Sequence, residues 1–556
     1  MTDAHWENRA WLAATALALA ISFIGIFDHE LIASAEPRFA GIGRVMLESG
    51  DAVVPRLGGE PFLDYPPLYF WTVAASLGTL GVSDGAARFP SAVAGFLTLL
   101  LCFDLTRRIA GPGAGVLSVA VLGSMYSFLR HTHRCMSDSW LTLFVLFGIW
   151  CAVLALFPSA RSEKVRERRG VALPILGVYV AAALAFNTKG FIGLILIFGI
   201  LPVLTLATGR AALLFHPAHL AGVALLIVGC AIWPLFLYAR AGEAEFQYWF
   251  VHNIYGRIFP DLAPGYDGGH REALWFYLGA VPGQTAPWPL ALPAAWLAAW
   301  KARLPEADAA ATRFVALIFP LGFLLLSIPG TKRSLYLMPL LPPLAVTLGI
   351  WLRSTIDREP LSRPDRLTLT SFAGFLAALP AALGALMYPL ERLLGRRNEA
   401  GERRSTLLHS VADYVESAWR GRTRVGLHFA GTAYAVALGI ALFAFPGMGT
   451  GRYLRPVTDA LAQLEALPPR LVAYQLAEEM RGGLPFYTGR TAQNFRDYDA
   501  LMAHFREHPD GLLLLGKDRP VDSTPGDLAS FRAIRLWEMA EGQYELFEFV
   551  GSGEAR

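Results

Sequence analysis

Apolar runs of about 20 residues recur along the chain, each closed by a short polar interruption. A helix rises ~1.5 Å per residue and the hydrocarbon core of a bilayer is ~30 Å thick, so runs of that length predict crossings. They fall near 11–27, 88–106, 112–129, 140–157, 171–187, 190–207, 219–238, 273–299, 314–329, 335–352, 369–389 and 426–447. The run 66–82 is a thirteenth that either lies along the surface or dips in as a re-entrant piece. Bare backbone polar groups cost several kcal/mol each in lipid, so helices are the expected spanning form. The fold class expected is an all-α polytopic membrane domain of about 12–13 helices over 1–448, followed by a small soluble α/β domain over 449–556. In that second part Pro456 sits where a helix can start, Leu471 to Tyr474 and Leu512 to Leu515 read as short strands, and Phe531 to Val550 reads as a hairpin around Glu541-Gly542.

Arg107-Arg108, the run Arg161 to Arg169, Arg210 and the pair Lys301/Arg303 are expected in short loops between the apolar runs, and the positive-inside tendency places them on the cytoplasmic side. Segments 28–65, 130–139 and 240–272 then face outward. The basic stretches 353–366 and 391–425 are separated by a single run, so charge leaves the choice between twelve and thirteen crossings open.

Composition agrees: 54% of residues are hydrophobic and 17% charged, which excludes a disordered chain, and a net charge of +3 gives no reason to expect a nucleic-acid partner. Cys102, Cys135, Cys151 and Cys230 lie in or beside apolar stretches without paired metal or redox spacing, and read as buried thiols. The run 11–27 reads as a first crossing rather than a cleaved leader, because no small-residue cleavage site follows it.

The outward segments carry the candidate chemistry. The first holds Asp28, Glu30, Glu36, Arg38 and Asp64-Tyr65 among Gly, Pro and aromatic residues, which suggests a rigid interfacial shelf. The second, residues 130–140, places His131 and His133 before Asp138 at the mouth of the next helix. His131 and His133, or Asp28, Glu36 and Asp138, are the groups that would hold a divalent metal ion if one is used, although no strict ligand spacing is present. Lys189 stands between two apolar runs, Arg257 and His270 lie on the long third segment, and Lys332, Arg333 and Tyr336 on a later turn. Cations converging from separate turns make an anionic pocket at the lipid surface, as recognition of a phosphate requires.

The segments EPRFAGIGRVMLESGD at 36–51 and VPRLGGEPFLDYPPLYFW at 54–71, with Thr188-Lys189-Gly190, His270, Pro287-Trp288 and KRSLYLMPLLPP at 332–343, resemble the bacterial membrane glycosyltransferases of the protein-mannosyltransferase-like superfamily (GT-C fold). Within it they are nearest the lipid A aminoarabinose transferases. The resemblance implies an inverting transfer of a sugar from a polyprenyl phosphate to a lipid, polysaccharide or protein acceptor. It implies a monomer in the bacterial cytoplasmic membrane, with the site and the C-terminal domain facing the periplasm. Carried over residue by residue, it matches Glu36 to the Glu of an Asp-Glu pair, Arg38 to a nearby arginine, Asp138 to the second-loop aspartate, and Lys189, His270, Lys332 and Arg333 to basic positions. Two positions depart from the pattern: Ala35 replaces the Asp of the pair, and Asp64-Tyr65 replaces Glu-Lys before the double proline.

Such a transfer develops positive charge on the sugar ring and negative charge on the departing phosphate. Asp138 is the first choice for the carboxylate facing the ring, then Glu36 and Asp28. Lys189, Arg257, His270, Lys332 and Arg333 are candidates for the phosphate, and Tyr65 supplies a hydrogen bond without charge. Two rival readings share these residues: a carrier of lipid-linked sugars, which needs no carboxylate aimed at the sugar, and an inactive accessory member, which Ala35 favours.

Overall fold

In a computed structural model the described residues are 3–32, 35–157, 169–251, 256, 271–300, 308–356, 362–369, 371, 454–463, 471–509, 511–517, 531–539 and 542–549. Helix α1 (Asp3–Phe23) leads to α2 (Glu36–Ser49), a two-stranded hairpin of β1 (Arg56–Leu57) and β2 (Glu60–Pro61), and α3 (Leu68–Leu80). There follow α4 (Asp84–Ala110), α5 (Pro112–Ser124), α6 (Tyr126–Thr132), α7 (Asp138–Leu156), α8 (Arg169–Lys189), α9 (Phe191–Ala207) and α10 (Ala218–Ala241). Beyond it come α11 (Glu243–Tyr248), α12 (Phe276–Thr285), α13 (Leu292–Trp300), α14 (Ala309–Ser327), a 3-10 turn over Ser334–Leu340 and α15 (Leu341–Ile356).

The chain is a multi-span membrane protein. Among the described residues six helical stretches are long and apolar enough to cross: Asp84–Ala110, Asp138–Leu156, Gly170–Lys189, Ala218–Ala241, Ala309–Ser327 and Ser334–Ile356. The expected runs 369–389 and 426–447 lie outside the described residues, apart from Leu369 and Ser371 at the start of the first. The run 66–82 yields 13 helical residues, ~20 Å of helix, too short to span. Two other runs depart from a single straight crossing. That at 112–129 breaks at Met125, where the backbone turns extended and α5 and α6 meet at 73°. Tyr126 N–H donates there to the Ala286 carbonyl, 2.9 Å. That at 273–299 is interrupted between α12 and α13, where Pro287 and Pro289 supply no N–H to a continuing ladder. Arg107 and Arg108 fall inside the last turn of α4 rather than in a loop, and Asp104 of the same helix bonds both, at 2.5 Å each.

The α7 and 334–356 stretches are the inner members, 72% and 89% buried, whereas α10 is 17% buried and turns Leu220, Ile227 and Phe236 outward. An apolar outer face costs nothing in lipid and marks α10 as the rim.

The C-terminal part is an α/β unit with α16 (Arg455–Gln463), α17 (Glu478–Thr488) and α18 (Tyr498–Glu507) on a five-stranded sheet. The strands are β3 (Leu471–Tyr474), β4 (Gln493–Phe495), β5 (Leu512–Lys517), β6 (Phe531–Met539) and β7 (Gly542–Phe549), in the order β4-β3-β5-β7-β6. β3 runs parallel to both its neighbours, and β7 runs antiparallel to β5 and β6. All four residues of β3 are buried, as a strand covered on both faces requires.

This unit sits directly on the shelf formed by the first inter-helix segment. Gly41 of α2 and Gly482 of α17 let the two backbones touch: a Cβ on Gly482 would lie 2.4 Å from Arg38 Cα. Arg38 pairs with Glu478, Arg44 donates to the Phe486 carbonyl at 2.6 Å, and Arg481 donates to Glu60 at 2.8 Å. Asp84 accepts from Tyr487 Oη at 2.7 Å, from Leu31 N–H at 3.0 Å and from Arg455 at 2.7 Å.

Candidate functional site

Asp138 is the first residue of α7, where the unpaired N–H groups of the opening turn favour a negative charge. Lys189 is the last residue of α8, where a cation suits the exposed carbonyls, and Gly190, at φ 71°, ends that helix in a conformation glycine accepts freely. The two ends meet: Lys189 Nζ lies 2.5 Å from Asp138 Oδ1, with side-chain exposures of 5% and 1%. The ammonium also lies 5.6 Å from the Tyr65 ring centroid and 5.5 Å from that of Tyr336. An ion pair this deep loses its hydration on both sides and is kept only by good geometry, here one short charged hydrogen bond and two aromatic faces. At the head of α7, Ser137 Oγ and Trp140 Nε1 are buried and have no hydrogen-bond partner among the described residues.

Four separate segments therefore converge on this point: the shelf (Tyr65), the head of α7, the foot of α8 and the turn before α15 (Tyr336). Lys332, 3% exposed, donates to the Glu272 carbonyl at 2.9 Å, and Glu272 N–H donates to the Gly330 carbonyl at 3.1 Å, which stitches the 330–332 turn to 271–272. Arg333 is exposed beside it and Asp64 is half-buried beside Tyr65. Arg257 and His270 lie outside the described residues.

Glu36 and Arg38 sit differently from what the sequence suggests. Glu36 is 1% exposed and both its oxygens are taken: Oε1 accepts from Arg88 Nε (2.8 Å) and Cys135 N–H (2.9 Å), and Oε2 from Ile32 N–H (2.9 Å) and Arg88 (3.2 Å). Burial pushes its carboxyl upward, and the Arg88 guanidinium outweighs that and holds it below the ordinary range. A carboxylate with four donors on it is a brace, with no lone pair turned to a substrate or metal. Arg38 is likewise committed, to Glu478 and to the faces of Phe39 and Phe62 at 5.1 and 5.5 Å. Asp28 is exposed.

The histidine pair is also spent locally. His131 Nδ1 is 2.7 Å from the Ser127 carbonyl, and the two nitrogens of His133 face the carbonyls of Leu129 (2.8 Å) and Ile24 (3.1 Å). Among the described residues no three His, Cys, Asp or Glu side chains come together as a metal site.

Sequence reasoning missed Arg88, Asp84 and Tyr487, which complete the shelf, and the orphan donors Ser137 and Trp140. Arg88 carried a usable signal: a guanidinium at the head of an apolar run must find a counter-charge.

Comparison with known proteins follows the same lines. The family model described as dolichyl-phosphate-mannose-protein mannosyltransferase matches residues 64–233. The undecaprenyl phosphate-alpha-4-amino-4-deoxy-L-arabinose arabinosyl transferase 2 of Pseudomonas fluorescens (strain Pf-5) is 28% identical over 395 residues, 69% of this chain and 64% of that protein. The corresponding transferase of Pseudomonas aeruginosa (strain LESB58) is 31% identical over 372 residues, 66% of this chain and 63% of that one. The match thus spans less than two thirds of either relative. Among solved structures, ArnT from Cupriavidus metallidurans bound to undecaprenyl phosphate superimposes with a TM-score of 0.72 at 20% identity, over 98% of both chains. The archaeal oligosaccharyltransferase AglB from Archaeoglobus fulgidus gives 0.51 at 12%, over 99% of this chain and 74% of that one. The fold is shared with these membrane transferases, and the resemblance read from the loop motifs is borne out.

Proposed function

We propose that this chain transfers a sugar from a polyprenyl-phosphate donor to a glycolipid acceptor at the periplasmic face of the bacterial inner membrane, with inversion at the anomeric carbon. The observation that carries the reading is the buried Asp138–Lys189 pair held between Tyr65 and Tyr336 at helix ends. The curated relatives named above act on undecaprenyl-phosphate-linked aminoarabinose, and the fold neighbour ArnT binds undecaprenyl phosphate, which supports the same donor class here. In this reading residues 1–448 form the membrane transferase domain and 449–556 a soluble periplasmic α/β domain.

The chemistry assigns each group a task. Lys189, with Lys332 and Arg333 on the neighbouring turn, takes the donor phosphate and meets the negative charge that grows as the bond from the anomeric carbon to the phosphate oxygen breaks. Engaging the phosphate loosens the hold of Lys189 on Asp138, so the arriving donor itself turns the carboxylate toward the sugar ring, where positive charge develops. The bonding electron pair leaves with the polyprenyl phosphate while an acceptor oxygen bonds to the opposite face of the carbon. A phosphate acceptor is already ionised near pH 7 and gives up no proton; a hydroxyl acceptor would pass its proton to Asp138. Ser137 Oγ and Trp140 Nε1, buried donors without partners among the described residues, would take sugar hydroxyls.

Asp138→Asn keeps the shape and removes the charge. Sugar transfer is expected to fall ~100-fold or more, and the double variant Asp138→Asn/Lys189→Gln to fall no further than the worse single, because the two act as one unit. Mass spectrometry of lipid extracts from cells with the intact, deleted and Asp138→Asn genes reads this directly. Near-normal product from Asp138→Asn would remove the residue from the reaction.

A further inference from the structure

The outer end of α6 holds more positive charge than the protein neutralises. Arg88 and Arg134 are both in electrostatic contact with Glu36, and Arg130 with Arg134. Glu36 has already given both oxygens to Arg88 and two backbone N–H groups. One committed carboxylate thus faces two guanidinium groups, with a third, Arg130, beside the second. Arg134 is partly buried, and among the described residues its guanidinium has no ion pair or hydrogen bond. Burial works against its charge and pulls it below the ordinary arginine range. A partly desolvated cation without a counter-ion is costly to keep, and the cost falls when an anion arrives.

Arg134 lies in the turn just beyond the end of α6, four residues after Arg130, and the two guanidinium groups are in electrostatic contact. Arg130 is exposed, donates to Tyr126 Oη at 2.5 Å and rests over that ring at 5.6 Å, which fixes the stem and leaves other N–H groups of the fork for a ligand. Two carbonyls of this helix end, which would repel an anion, are engaged by the protein: Leu129 faces His133 Nδ1 (2.8 Å), and His131 accepts from Arg134 N–H (3.4 Å). The cluster is also close to the chemistry. His131 is in electrostatic contact with Asp138 on one side and with Arg130 and Arg134 on the other, and its carbonyl accepts from Ser139 of α7 at 3.1 Å.

We propose that Arg130 and Arg134 form a second anion seat, which takes a phosphate monoester carried by the acceptor glycolipid while the donor phosphate sits at Lys189. This deepens the transferase reading above and rests on it. An inverting displacement brings the attacking and leaving oxygens to opposite faces of one carbon, so two phosphates need two separate cationic seats. A bidentate guanidinium fork suits the seat that must also fix orientation.

Full-length protein in lipid nanodiscs provides the test, with undecaprenyl phosphate and diphosphoryl lipid A as ligands, and dephosphorylated lipid A and inorganic phosphate as controls. Arg130→Gln/Arg134→Gln is expected to weaken diphosphoryl lipid A by about tenfold or more while undecaprenyl phosphate stays within about twofold, which also reports that the variant is folded. Arg130→Lys/Arg134→Lys, with charge but no fork, is expected to recover part of the loss. Dephosphorylated lipid A should bind both proteins equally weakly, and inorganic phosphate should compete with lipid A only when the arginines are present. Equal weakening of both phosphorylated lipids would assign the pair to the donor, and no weakening would deny the seat; either overturns the proposal. Inorganic phosphate held by the pair but not displaced by diphosphoryl lipid A overturns the acceptor assignment. Intact protein that binds neither lipid overturns the transferase reading itself, and the seat with it.

Discussion

Arg88 spreads its guanidinium over both oxygens of Glu36 and the carbonyls of Ile26, His29 and Glu30, with no exposed surface of its own. Arg88→Met should cost ~3–5 kcal/mol in thermal unfolding of the detergent-solubilised protein, because it strands a buried carboxylate as well as three carbonyls. Glu36 adds a pH dependence. Its folded-state value lies below the ordinary 4.5, so its contribution is complete above that pH and is lost as pH falls through the folded value. The Tm gap between wild type and Glu36→Gln should narrow as pH is taken below 4.5, and a gap that is unchanged at lower pH would show that the carboxylate stays charged or contributes nothing. At this scale the sequence was partly readable. Asp138 and Lys189 stood out because charged residues flanking apolar runs have few structural excuses. Their partnership across 51 positions, and the diversion of Glu36 and Arg38 into the shelf, depend on which helix ends meet, and no local pattern encodes that.

The contact of α2 with α17 depends on having no side chain at two positions. A Cβ on Gly482 would meet Pro37 O at 2.5 Å, and one on Gly41 would meet Gly482 O at 2.1 Å. These obstacles are backbone, so Gly482→Ala should push the helices apart, cost ~1–3 kcal/mol and raise the rate of proteolytic clipping between the two parts. A clipping rate and Tm equal to wild type would show that the contact tolerates a methyl group. Periodicity located the long helices and placed strands at 471–474 and 512–515. It failed where a run of suitable composition is broken by a local event: the extended residue Met125, after which Tyr126 N–H bonds the distant Ala286 carbonyl, and the prolines between α12 and α13. Composition sees how apolar a stretch is and misses the single residue that turns it.

The two halves share one surface, with Asp84, Leu31, Arg455 and Tyr487 drawn together from four parts of the chain. The topology proposed above makes a direct prediction. Arg490→Cys, at an exposed position of the α/β unit, in a background with the partly exposed Cys230 replaced by Ser, should react with a membrane-impermeant maleimide added outside intact spheroplasts. Labelling that requires permeabilised membranes would place the unit in the cytoplasm and sink the proposed orientation. The knot has a consequence for how the protein is made. Leu31 and Tyr487 are 456 positions apart, so the ribosome must pass Tyr487 before the segment around Leu31 can close. Until then Asp84 lacks its tyrosine and arginine, and a translation product that stops before Arg455 inserts its helices around an unfinished shelf. The shelf is thereby complete only on chains translated past Tyr487, which brings its hydroxyl to Leu31 and Asp84.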